Sequence, residues 1–516
     1  MKFNKLYILL FAGALCTGTS CTKFDVDMHS AYTDDTFPKT PDQFVAVTGP
    51  VYTSARGYFG DYFDLQTAGS DEVVIPTRGG DWFDGGKWRD MHFHSWSPSH
   101  EVVRNAWNWG FNAIGTCNQV LGILENAEDS DQKNQTLAEI KTMRAWYYYL
   151  MMDTYGNVPL VTTFDTGNEL PSTTPRAQVY EFVVTELEAN LALLSEEKSE
   201  ATYGRPTKWF AHALLAKAYL NAQVYTGTAN WNKVVEHADA VIASGKYNLE
   251  NDFLAQFMPD NGAQSPEPIF SIPFDPARAE GNQLFNKVLH YAHRQTFDLS
   301  VNPWNGWSAQ PAYFDLFDDA DNRTQQWLAG QQYNSTGQPL IYNGMNIVID
   351  PYGYNLLPGS DFDIGGADEG GRLAGARCVK YFPDKNQANN NAGNDVIVFR
   401  LADVLLMKAE AILRGATNGT RDQALEAANL VRKRAFPINP EKHFTASSLT
   451  LDAIYKERAL EFTFEVTRRT DMIRFGKWED AMLFKPANSG EAYKRLFPIP
   501  ATALANNTNL TPNPGY

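Results

Sequence analysis

The chain has 516 residues, 13% of them aromatic, and carries a formal net charge of −16. That length predicts one large helical domain or two intimate subdomains; many of the aromatic rings must be core, while Trp beside Gly, Asp and Asn in loops is what a stacking surface would require. The acidic balance argues against nucleic acid or anionic lipid as the partner, because both recruit cationic protein surface.

Residues 1–20 read as an export signal: Lys2 and Lys5 precede an apolar run from Leu6 to Leu15 that is too short to span a bilayer. Gly18, Thr19 and Ser20 then place small residues before Cys21, which resembles the acylated cysteine of a bacterial lipoprotein, although Gly18 stands where the usual lipobox has Leu. Residues 21–40 are polar and acidic and suit a tether. Beyond them only Cys117 and Cys378 remain. Cys117 falls on an apolar stripe and reads as a small core residue, while a bond between the two stays open because sequence does not say how near they lie.

A first helix is expected over 41–60, with Phe44, Val47, Val51 and Tyr52 as its apolar positions. Residues 61–100 lose the helical period and are rich in Gly, Asp and aromatics, a texture expected of a long functional loop. Helix resumes over 101–126 and again over 137–155, where Ile140, Met143, Tyr147, Leu150, Met151 and Thr154 form one wide apolar stripe. Gly156-Asn157 stops that helix and Pro159 bars its continuation. Another helix is expected over 180–194. Helices over 211–222 and 231–242 carry small residues at their crossing points, the pattern of a tetratricopeptide-like hairpin. Residues 251–393 are mostly irregular, with one helix near 311–318. A second hairpin follows over 400–414 and 421–434, then one long helix over 451–474, and a Pro- and Asn-rich tail laid along the surface.

With those segments placed, the chain resembles the SusD/RagB family of outer-membrane lipoproteins. The residues that carry the resemblance are MRAWYYYLMMDTYGNVPLV from Met143, GRPTKWFAHALLAKAYL from Gly204, ADAVIASGKYNL from Ala238, RLADVLLMKAEA from Arg400, IYKERALEFTFEVTRRTDMIRFGKW from Ile454, and the closing FPIP and NPGY. The resemblance implies a mainly α fold, with tetratricopeptide-like hairpins as scaffold and a loop-rich half that binds ligand, over residues 41–516 as one domain. It also implies a surface-exposed lipoprotein, anchored in the outer membrane through acylated Cys21, that acts as the lid of a SusC-like TonB-dependent transporter and delivers oligosaccharides to it. A peptide-binding lid of the RagB kind and a glycoside hydrolase are the alternatives, in that order.

A sugar ring has an apolar C–H face and a hydroxyl rim, so a site for it needs flat aromatics beside Asp, Asn or Arg. Two stretches mix these residue types among Gly and Asn: 81–96 and 291–307. The expected platform is Trp82, Trp304 and Trp307, flanked by Trp88 and Trp96, with Asp81, Asp84 and Arg89 as polar anchors. Trp107, Trp109, Trp146, Trp209 and Trp231 lie within helices and are assigned to packing. His92, His94 and His100 lack a second ligand cluster, and Asp318, Asp319 and Asp321 lack the glycine and terminal Glu of a calcium loop, so no metal or cofactor is expected. No GxSxG, HExxH, phosphate-loop or GxGxxG motif occurs, and no enzyme activity is expected.

Overall fold

The computed structural model describes residues 37–516 other than 165, 166, 168, 279, 280 and 389; Cys21 and the signal and tether segments therefore lie outside the described residues. Thr40 begins the helical part with a capping box to Gln43, and Pro41 occupies the first turn of α1 (Pro41–Ser54). This helix ends earlier than expected and continues as a 3₁₀ turn over Ala55–Phe59.

The expected loop over 61–100 contains two short helices, α2 (Asp61–Thr67) and α3 (Lys87–His92). Two turns are too few to show a period, and the left-handed Gly85 and Gly86 before α3 hide its start. Next come α4 (Glu101–Glu125) and α5 (Asp131–Tyr155), the latter capped by Ser130 and stopped at left-handed Gly156. The two cross so closely that a Cβ on Gly110 would lie 2.2 Å from the Met151 sulfur. α5 carries more than the expected stripe: every residue from Ala138 to Tyr155 except Lys141 is buried, because neighbours cover it on all sides.

α6 (Arg176–Asn190) packs on α5, then α7 (Lys208–Leu220) on α6, with the short α8 (Ala222–Thr226) leading to α9 (Trp231–Ala243) against α7. The loop-rich half follows, containing α10 (Leu284–Val288) and α11 (Pro311–Phe314). Its strand Pro268–Ile272 pairs antiparallel with Val396–Arg400, which runs directly into α12 (Leu401–Leu413). α12 packs on both α9 and α13 (Arg421–Ala435), so the two expected hairpins form one continuous stack.

The expected single helix over 451–474 is two helices, α14 (Leu451–Glu461) and α15 (Arg468–Arg474). Phe464 and Val466 between them are left-handed, at φ 58° and 60°, a conformation that an aromatic and a β-branched residue adopt only under constraint. The constraint is electrostatic. Glu461 binds Arg323, Arg400 and Arg434, and Glu465 binds Arg400 and Lys380. Arg458 bridges Asp403 and Asp471, and Arg474 bridges Glu410 and Asp471, while Glu72 accepts the Phe464 N–H at 3.0 Å. The tail also departs from expectation: it forms the short α16 (Ala501–Asn506), and the buried Asn513 amide donates to Tyr155 O and Phe497 O.

Cys117 and Cys378 are both buried and unbonded. Trp107, Trp146 and Trp209 are buried, and half-buried Trp109 donates to Ser54 O at 2.7 Å. His94 and His100 each spend Nε2 on a backbone carbonyl, of Gly69 and Lys87, and His92 does the same with Leu483. Asp321 pairs with buried Arg323, and Asp318 with Lys442.

Removing one partner of a buried ion pair strands the other charge, so Glu461→Ala is expected to lower the free energy of unfolding by about 3–5 kcal/mol, measured by denaturant titration. Against the burial that would raise them, neighbouring cations hold Asp403, Glu410, Glu461 and Asp471 below the ordinary carboxylate range. Their stabilising contribution is complete above about pH 4 and is lost as pH falls through their folded values, so acid unfolding is expected to be steep. Glu72 has the opposite sign: burial pushes it up to about 7, so its ionisation weakens the fold as pH rises through neutrality. Glu72→Gln, which keeps an acceptor for Phe464, is expected to stabilise the protein by roughly 1–3 kcal/mol at pH 8 and to change little at pH 4.

Candidate functional site

A cleft of about 740 Å³ opens between the 81–88 turn and the loop-rich half. Its first wall is a run of left-handed residues, Trp82, Asp84, Gly85 and Gly86, which turns the chain sharply and leaves the Trp82 indole half-exposed. That ring lies flat on Gly306: a Cβ there would come within 2.1 Å of it. Trp82 Nε1 donates to the Trp304 carbonyl at 2.7 Å, locking the two expected platform residues into one unit. Trp88 lies beneath, 5.9 Å from Trp82 and tilted by 50°, with its own N–H donated to Asp84 at 2.7 Å.

The second wall hangs from α10. The N–H groups of Trp304, Asn305 and Gly306 donate to the carbonyls of Asn286, Leu289 and Lys287, and the buried Asn305 amide donates to Arg372 O, so the segment is held without its Trp304 ring, which lines the cleft. Two buried arginines cement the wall from behind. Arg78 reaches Gly306 O, Ala374 O and the Ser308 hydroxyl, and Arg377 reaches Arg372 O and Ala374 O. Neither has a carboxylate partner among the described residues. Burial pulls Arg78 down to about 10, a cost accepted where a five-donor fork satisfies several loop carbonyls at once.

The charged groups of the cleft are bonded within the protein. Asp81 accepts the Tyr291 hydroxyl and lies 3.3 Å from Arg372, whose guanidinium covers the Tyr291 ring. Burial and then the bond to Asp81 push Tyr291 up to about 12, so it remains a neutral donor. Lys287 pairs with Asp64. Tyr342 stacks on Tyr291 at 6.4 Å, presented by a two-residue hairpin turn at left-handed Asn343 and Gly344.

Five of the expected residues therefore line one cleft: Asp81, Trp82, Asp84, Trp88 and Trp304. Three stand elsewhere. Trp307 is fully buried, stacked on Phe63 at 5.5 Å, and offers no face to a ligand. Trp96 is buried against Phe497 and donates to the Tyr516 hydroxyl at 2.7 Å, pinning the chain end. Arg89 is outside the cleft, held by Asp361 and Asp90. Left-handed Asn305, at φ 58°, turns the chain between Trp304 and Trp307, so the two rings do not share a face although only three residues separate them. Lys287, Tyr291, Tyr342 and Arg372 also line the cleft. The Asn343-Gly344 dipeptide signals the hairpin that carries Tyr342; nothing in the sequence marks Arg372.

Residues 266–516 match the family model described as "SusD family", and residues 78–220 match one described as "Starch-binding associating with outer membrane". The chain belongs to the SusD family. Among its relatives, the starch-binding protein SusD of Bacteroides thetaiotaomicron is 27% identical over 471 residues, covering 82% of this chain and 80% of the relative. A laminarin-binding SusD-like protein superposes with a TM-score of 0.73 at 23% identity, covering 93% of this chain and all of the other. Surface glycan-binding protein A from Bacteroides thetaiotaomicron, in complex with laminarihexaose, also reaches 0.73 at 22% identity, covering 92% of this chain and all of the other. These likenesses establish the mainly helical SusD fold.

Gly306→Ala is expected to drive the Trp82 ring off its seat, visible as a changed near-ultraviolet dichroism and tryptophan emission, with a stability loss of about 1–3 kcal/mol from overpacking.

Proposed function

We propose that this SusD-family chain is a cell-surface glycan-binding protein that holds a neutral oligosaccharide in the Trp82–Trp304 cleft and passes it to a SusC-like TonB-dependent transporter, for which it acts as the lid. The observation that carries the reading is the pair of half-buried tryptophans lining one cleft, with the Trp82 indole fixed by its hydrogen bond to the Trp304 carbonyl and with Asp81, Tyr291 and Arg372 beside them. Indole faces match the apolar faces of sugar rings, and the polar groups match hydroxyls. Neutrality follows from the internal pairing of Asp81 with Arg372 and of Lys287 with Asp64, which leaves little net field for an anionic sugar. The starch- and laminarin-binding relatives support the same ligand class. Acylated Cys21 is the proposed outer-membrane anchor, with residues 21–40 as its tether.

The role is capture, not turnover: Asp81 and Asp84 serve as acceptors for Tyr291 and Trp88. Modest affinity suffices, because closure onto a transporter encloses the ligand from both sides and opening releases it.

Calorimetric titration of the body that follows Cys21, against neutral oligosaccharides of starch and laminarin type and a mixed peptide pool, is expected to show binding to one glycan class. Trp304→Ala retains the carbonyl that Trp82 uses and removes stacking area, so it is expected to weaken binding about 10- to 100-fold, as is Trp82→Ala. Binding to peptides alone, unaffected by both substitutions, would overturn the reading.

A further inference from the structure

A second cavity, of about 630 Å³, lies outside the cleft, where the turns at 258–260, 296–298 and 382–386 meet. The loop between Tyr291 and Trp304 walls both: its two ends line the cleft, and Thr296, Phe297 and Asp298 at its middle line the second cavity. We propose that this cavity is a second glycan-binding site for a neutral polysaccharide, an inference that rests on the first cleft binding glycan.

The cavity is built. Phe297 and Phe382 are half-buried and meet edge to face at 5.5 Å and 89°, an apolar wall that remains partly open to solvent. Asp384 is buried and accepts the N–H groups of Asn386 at 2.8 Å and Gly393 at 3.1 Å, which fixes the turn carrying Phe382. Asp298 is left-handed, with φ 51°, and exposed beside Phe297. Around these rings the rim is polar: Asp260, Asp298, Lys385 and Asn386. In the first cleft Asp81 and Lys287 are tied to protein partners, whereas Asp260, Asp298 and Lys385 form no ion pair among the described residues.

Free carboxylate, amide and ammonium groups around aromatic faces suit hydroxyl-rich ligands, with acceptors and donors for the rim and apolar area for the ring face. The excess of carboxylates over the single lysine disfavours uronate- or sulfate-bearing chains. Two sites on one chain raise the retention of a long polymer through effective concentration, without requiring either to bind tightly.

The test uses laminarin and soluble starch, each in native affinity gels and in calorimetry, on the intact body after Cys21. Protein carrying Trp82→Ala and Trp304→Ala together is expected to keep residual retention on one polymer, at least tenfold weaker than the parent. Adding Phe382→Ala should abolish it. Asp260→Lys, at an exposed position whose side chain has no partner among the described residues, should do the same while leaving the fold intact. The cavity wall contains no tryptophan, so Asp260→Lys alone should leave the ligand-induced change in tryptophan emission unaltered while reducing gel retention about fivefold or more. Loss of all binding in the double tryptophan variant, with the parent still binding, would overturn the second site and leave the first standing. Failure of the parent to bind either polymer would overturn both.

Discussion

Glu461 receives three guanidinium groups, from Arg323, Arg400 and Arg434, at a point where the last helices, the α12–α13 hairpin and the loop-rich half all meet. Arg400 extends the set to Glu267 and Glu465, and Arg458 and Arg474 continue it through Asp403, Asp471 and Glu410. Such charges are tolerable inside a protein only when every one is answered, so the network imposes a single relative placement on the segments that supply its members. The need to bring Glu465 to Lys380 and Arg400, and Asp471 to Arg458, breaks α14 and α15 apart and holds Phe464 and Val466 left-handed.

That placement makes a cleft walled by loops feasible. Loops have few backbone partners of their own, and here buried cations supply them. Arg78 and Arg377 satisfy the carbonyls behind the cleft, while α10 supplies acceptors for the segment that bears Trp304. The Trp82 ring then closes over Gly306, where no side chain would fit. A cleft wall made this way is largely pre-formed, because its main-chain groups are already paired.

Charge is handled differently in the two halves. In the scaffold it locks geometry. In the cleft the Asp81–Arg372 and Lys287–Asp64 pairs cancel locally, which suits a protein of strongly acidic balance that is proposed to take an uncharged sugar. Aromatic content divides in the same way: Trp96 and Trp307 are consumed by packing, and Trp82 and Trp304 are left facing the cleft.

The sequence by itself determined the helical scaffold and its two hairpins, because long amphipathic and Ala-rich segments carry their period and caps locally. It also marked the two stretches whose residues meet at the cleft, since Trp among Gly, Asp and Asn stands out from any helical stripe. It did not reveal α2 and α3, whose two turns are too short for a period, nor the break between α14 and α15, where no Gly or Pro interrupts the pattern. Only the tertiary structure decided which tryptophans face the cleft. Trp304 and Trp307 share a local composition, but one is held out by the carbonyls of α10 and by Trp82, and the other is stacked on Phe63. Nor does any short-range signal join Tyr291, Tyr342 and Arg372 to Asp81. Their meeting depends on contacts between segments far apart in the chain, which local residue preferences do not encode.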